Sequence, residues 1–167
     1  MKKLSKKFIT YSLLLPLLLI GYGYSAHAAD YDGDGKSDIA VWRPGPGKGT
    51  WYLLRSSDGV EVKRQFGLPG DIPVPADYVG DGKSDIGVWR PGTGTWYYLQ
   101  SLYGVEVKRQ FGLPGDIPVP ADYDGNGKSD IAVWRPGNGT WYIVQSSNGA
   151  HVERQWGLPG DIPVSGK

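Results

Sequence analysis

The string ADYDGDGKSDIAVWRP at residues 29–44 returns as ADYVGDGKSDIGVWRP at 76–91 and as ADYDGNGKSDIAVWRP at 121–136. A chain that spells one unit three times builds one supersecondary unit three times, because each unit can bury its apolar face only against a neighbour of the same kind. Asp30, Asp77 and Asp122 open the units, 47 and 45 residues apart. The length difference falls in one turn, PGPGKGTW against PGTGTW and PGNGTW, where a stack of units tolerates it.

Each unit reads as four short strands. DIPVPADY precedes the acidic stretch and SDIAVWRP follows it. GTWYLLRS comes after a Pro-Gly turn, and GVEVKRQFG after an SSDG-type turn. In the last of these Val60, Val62, Arg64 and Phe66 alternate with Glu61, Lys63 and Gln65, which suits an outer strand with one wet face. DIAVW is apolar on both faces, which suits burial between neighbouring sheets. No segment has helical periodicity. Four antiparallel strands in about 45 residues is the size of a propeller blade. The expected fold is therefore all-β, a propeller-type array of three four-stranded antiparallel blades. The units run over about 29–75, 76–120 and 121–167. A β-sandwich is the alternative, but it leaves the repeat unexplained.

Residues 1–28 read as a signal peptide. Lys2, Lys3, Lys6 and Lys7 form a basic start, Phe8 to Ile20 is almost wholly apolar, and AHA at 26–28 fits a cleavage site. The protein is thus expected to be secreted or extracellular, with a periplasmic or cell-surface position as variants, and not inserted in the membrane once cleaved. The whole chain carries +1, but with the four leader lysines removed 14 basic residues face 17 acidic ones, a charge of −3. That balance gives no reason to expect nucleic acid as a partner. The chain has no Cys, so disulfides cannot hold it and something else must.

The acidic loop offers a substitute. Asp30, Asp32, Asp34, Lys36 and Asp38 occupy positions 1, 3, 5, 7 and 9. Calcium takes six to eight hard oxygen ligands, and alternate positions of a tightly turning loop can converge on one ion. Lys36 would serve through its carbonyl. The third loop keeps the pattern with Asp122, Asp124, Asn126, Lys128 and Asp130. The second has Asp77, Asp81, Lys83 and Asp85 but Val79 at position 3, and is expected to be the weakest site. An EF-hand is excluded, because position 12 is Val41, Val88 or Val133 inside an apolar run. The alternative to a metal site is a set of Asp-Gly turns held by side-chain-to-backbone hydrogen bonds.

These loops, each leading into a hydrophobic strand, resemble the FG-GAP or VCBS-type repeat, related to the calcium-binding blades of integrin α-subunit propellers. Phe66-Gly67 and Phe111-Gly112 match the FG, which becomes Trp156-Gly157 in the third unit. Trp-Arg-Pro stands where the family has GAP. The resemblance covers residues 29 to 164. It implies that the acidic loop joins the innermost strand of a blade to the next strand out, and that calcium there is mainly structural.

Three blades are fewer than the four to eight that typically close a propeller. DIPV is also missing ahead of Asp30 and spare after the third unit, at Asp161 to Val164. A head-to-tail homodimer of six blades is the expected closure, with a propeller fragment or building block without a ligand of its own as the competing reading. A catalytic set is not found. His151 is the one His after residue 28, and the paired carboxylates sit in the acidic loops, so a binding or adhesion module is expected rather than an enzyme. Its partner would be a glycan or an extracellular protein. The candidate ligand-binding residues are Trp42, Arg43, Trp89, Arg90, Trp134 and Arg135, because indole faces stack on sugars and Arg donates to hydroxyls. Packing between blades is the other reading of these aromatics.

Overall fold

The computed structural model describes residues 29–164; the signal sequence read over 1–28 lies outside them. Eleven strands form three antiparallel sheets, and no helix occurs among the described residues. The first sheet is β1 (Ile39–Arg43), β2 (Thr50–Leu54) and β3 (Glu61–Gln65). The second is β4 (Ile72–Pro73), β5 (Ile86–Arg90), β6 (Thr95–Leu99) and β7 (Glu106–Gln110), in that spatial order. The third repeats it with β8 (Ile117–Pro118), β9 (Ile131–Arg135), β10 (Thr140–Val144) and β11 (His151–Gln155). The expected array of propeller-like blades is what the chain builds. Among the described residues, which begin at Ala29, the first blade has three strands where four were expected. Asp161 to Val164, the third copy of the DIPV segment, pairs with no strand among the described residues.

Register explains the Trp-rich pattern. Trp42 lies opposite Trp51, Trp89 opposite Trp96 and Trp134 opposite Trp141. Directly opposed aromatic pairs are strong cross-strand contacts, and here they supply the bulk of a small sheet's core. One indole of each pair donates to the carbonyl that precedes the FG-type glycine. In the first blade this is Trp42 to Phe66, and in the others it is Trp96 to Phe111 and Trp141 to Trp156, at 2.9 to 3.0 Å. The longer turn of the first unit accompanies that exchange. Gly94 and Gly139 have φ of +58° and +63°, and a side chain there would strike the carbonyls of Gly112 and Gly157, whereas at Gly49 the same space is filled by Trp42.

The blades pack face to face. Ile86 and Val88 of β5 close a core with Trp51, Leu53 and Phe66 of the first blade. Val133 of β9 enters the core of the second blade, beside Trp89, Trp96 and Tyr98. This is why the DIAVW-type run must be apolar on both faces in β5 and β9. In β1, which has no blade before it, Ile39 and Val41 are 69% and 55% exposed.

Candidate metal centre

Each acidic loop is tied shut at its base. Ala29 bridges to Asp38, Ala76 to Asp85 and Ala121 to Asp130, with the Asp amide donating to the Ala carbonyl at 2.7 to 2.8 Å. Glycines at loop positions 4 and 6 have positive φ, for example +82° at Gly33 and +84° at Gly35, which lets the backbone curl inward. The first carboxylate organises the curl. Asp30 accepts from the amides of Gly33 and Gly35 at 2.6 and 2.8 Å, and Asp77 and Asp122 do the same in their loops. The Gly127 amide is the main reason that the Asp122 carboxyl lies below the usual carboxylate range.

The ninth-position Asp has a second role. Asp38 is nearly buried, and Asp85 and Asp130 wholly so. One oxygen accepts from the amide of loop position 2 and the other from the serine that opens the turn after the second long strand. In the middle blade these are Tyr78 at 2.9 Å and Ser101 at 2.6 Å. In the others they are Tyr31 and Ser56 for Asp38, and Tyr123 and Ser146 for Asp130. Burial pushes the Asp85 carboxyl up, against the pull of these amides.

The turn serines are site residues that the sequence reading missed. Asp32 accepts from the Ser57 hydroxyl at 2.6 Å, the main cause of its lowered pKa, and Asp124 accepts from Ser147 at the same distance. In the middle unit both members of this pair are replaced, by Val79 and Leu102. That paired loss between units was visible in the sequence and was the available signal.

The structure brings together oxygens of Asp30, Asp32 and Asp38 in the first loop, and of Asp122, Asp124 and Asp130 in the third, each set within 4.8 Å. The middle loop forms no such group among the described residues, in line with Val79. Asp34, Asp81 and Asn126 face the turn instead, where they meet Ser56, Ser101 and Ser146. The Lys36 ammonium sits 3.8 Å from Asp34. Lys83 and Lys128 lie along the glycines of the preceding loop, Gly33 and Gly80. Successive loops are also joined directly, Ser84 N to Asp30 O at 2.6 Å and Ser129 N to Asp77 O at 2.7 Å.

In the second and third units the Trp-Arg residues take other positions than a sugar site requires. Trp89 and Trp134 are 0% and 1% exposed, so neither indole offers a face to a ligand. Arg90 forks onto the buried Asp71 and lies over the Tyr97 ring, and Arg135 does the same with Asp116 and Tyr142. An Arg at a half-buried position is thereby explained by a carboxylate 19 residues upstream. Trp42 and Arg43 keep exposed area, and among the described residues Arg43 meets Tyr52 alone.

The fold and site define a class, an all-β array of blades with acidic loops at the blade joints. Residues 30–88 match the family model of the FG-GAP-like repeat, so this stretch of the chain is similar to that repeat. The matched stretch runs from the first acidic loop through the first blade into β5. No curated protein and no solved structure matches the chain.

Proposed function

We propose that the protein is a secreted calcium-binding repeat module whose blades present a binding surface to an extracellular glycan or protein. The observation that carries the reading is the gathering of three carboxylate oxygens within 4.8 Å in two loops. The donors fit a hard divalent cation, because every one is an oxygen and carboxylate oxygens retain lone pairs after accepting an amide. Asp30, Asp32 and Asp38 would hold one ion, and Asp122, Asp124 and Asp130 another. The ion supplies positive charge that relieves repulsion among these carboxylates. The chain's own bonds do the rest, since Asp38 and Asp130 tie each loop to the turn of its hairpin. In a chain without Cys this is a cross-link of the kind a disulfide would make elsewhere.

A groove of about 510 Å³ between the second and third blades supports the binding reading. Tyr98, Arg109, Lys128, Ser146 and His151 line it, a mixture of ring edges and donors suited to hydroxyl or carboxylate groups. A second reading, a structural propeller element with no ligand, is favoured by the burial of Trp89 and Trp134 and by the commitment of Arg90 and Arg135 to aspartates.

Titration of chelator-stripped protein with calcium in a calorimeter tests the first part, with two tight sites expected. No heat, together with an unchanged melting temperature, would remove the cation from the proposal. A glycan array probed in calcium then separates the readings. Binding that is lost on Arg109→Ala supports the module, and a blank array with no captured extracellular protein supports the structural element.

A further inference from the structure

The two internal joints share a set of contacts. At each, a DIPV segment lies beside the first long strand of the next blade. Ile72 pairs with Trp89 and Pro73 with Val88, and the Val74 amide donates to the Gly87 carbonyl at 2.8 Å. The same register joins Ile117 and Pro118 to Trp134 and Val133. The Asp that opens the segment forks onto the strand's Arg at 2.8 Å, as Asp71–Arg90 and Asp116–Arg135. The loop tyrosine donates its hydroxyl to the segment's Val carbonyl at 2.7 Å, as Tyr78 to Val74 and Tyr123 to Val119. The strand's Val sits over the FG glycine of the preceding blade, Val88 on Gly67 and Val133 on Gly112.

At the two ends the halves of this set stand unmatched among the described residues. On β1, Arg43 has no carboxylate partner, and the Tyr31 hydroxyl is buried with no hydrogen-bond partner. A groove of about 640 Å³ runs along this edge, past Tyr31, Val41 and Trp42. On the far side, Asp161 has no basic partner, Ile162 and Val164 are 82% and 84% exposed, and Trp156 is 81% exposed where Phe66 is 6%. No Val lies over Gly157. The Leu158 amide donates to Asp161 at 2.8 Å, just as Leu68 and Leu113 donate to Asp71 and Asp116, so the segment is already shaped for the pairing. Residues 1–28 contain no Asp or Glu that could serve Arg43.

We propose that a second copy of this chain docks head to tail at the β1 edge, with residues 161–164 of one copy completing the first sheet of the other. In the register of the internal joints Ile162 faces Trp42 and Pro163 faces Val41. Asp161 forks onto Arg43, and Val164 accepts from the Tyr31 hydroxyl while donating to the Ala40 carbonyl. Val41 covers Gly157, and Ser37 N reaches Asp122 O as Ser84 reaches Asp30. A polar edge with an orphaned hydroxyl is costly to leave unpaired, and addition of a strand is the usual way such an edge is satisfied. The contact is heterologous, so two copies joined at both ends make a closed ring of six blades. The proposal does not depend on the cation or on a ligand.

Light scattering after size exclusion tests it with the purified protein and two variants, Arg43→Asp and Asp161→Arg. Unaltered protein is expected at twice the single-chain mass. Either variant alone places like charges at both contacts and should weaken association roughly 30-fold or more. An equimolar mixture of the two restores dimers, because one contact is then the original pair and the other its reverse. Recovery on mixing also shows that both variants are folded. An excess of synthetic peptide spanning residues 157–167 should likewise dissociate unaltered dimers, a readout that needs no variant. Single-chain mass at every concentration, or an assembly indifferent to both variants and to the peptide, would overturn the proposal.

Discussion

Asp85 is wholly buried, yet its partners are two backbone amides and no cation side chain. It spans the start of the acidic loop and the turn after β6, which are 7 and 16 residues away in opposite directions along the chain. Asp85→Ala would leave the Ser101 amide without an acceptor and the Tyr78 amide with only the Ala76 carbonyl, at 3.1 Å. At about 1–3 kcal/mol for a stranded group, the expected loss is about 2 kcal/mol, read from the urea midpoint without added metal. Two glycines of one turn make a sharper contrast. Gly94 has φ of +58° and its missing side chain would meet the Gly112 carbonyl, whereas Gly92 faces open space. Gly94→Ala should cost about 2 kcal/mol or more and Gly92→Ala within about 0.5 kcal/mol, measured in the same titration. Equal effects at the two positions would contradict the close approach of the β5–β6 turn to the chain after β7.

At the level of the loop and its hairpin, much was legible in the sequence and some was not. The alternate acidic positions, the glycines between them and the Val79 gap are all local, and local spacing is what a sequence displays. The serines that complete the loop stand 20 to 25 residues away, across a sheet, and looked like ordinary turn residues. Arg90 and Arg135 were read as donors to a ligand because their partners, Asp71 and Asp116, stood in what looked like strand starts. Pairing beside β5 and β9 buries those aspartates, and the Arg is then required. Two predictions follow from these contacts. Arg90→Ala strands a buried carboxylate and should destabilise the chain by about 3 kcal/mol. Val79→Asp with Leu102→Ser rebuilds the pair that the other units possess, and should raise the number of tight calcium sites from two to three by calorimetry. A middle site that stays weak after both changes would show that position 3 does not govern the site.

Across the whole molecule the first blade packs on the second and the second on the third, so the coupling between blades decides whether they unfold together. That coupling has two parts. One is apolar, through Val88 and Val133 seated in the preceding blade's core. The other is the row of acidic loops, joined by Ser84 to Asp30 and Ser129 to Asp77. A cation held by Asp30, Asp32 and Asp38 would stiffen the carbonyl to which the second blade is hydrogen-bonded, so metal should affect blade coupling as well as local stability. An ion at one hundred times its dissociation constant adds about 2.7 kcal/mol per site, and two sites should raise the melting temperature by on the order of 15 °C. The coupling predicts more than a shift. With calcium, scanning calorimetry should give one transition whose van't Hoff and calorimetric enthalpies agree. With chelator, the ratio of the two should fall below one as the blades begin to melt separately. A lowered transition that remains fully cooperative would confine the cation to its own loop and leave the apolar joints to hold the array together, and superimposable scans would remove the cation from the stability of the fold.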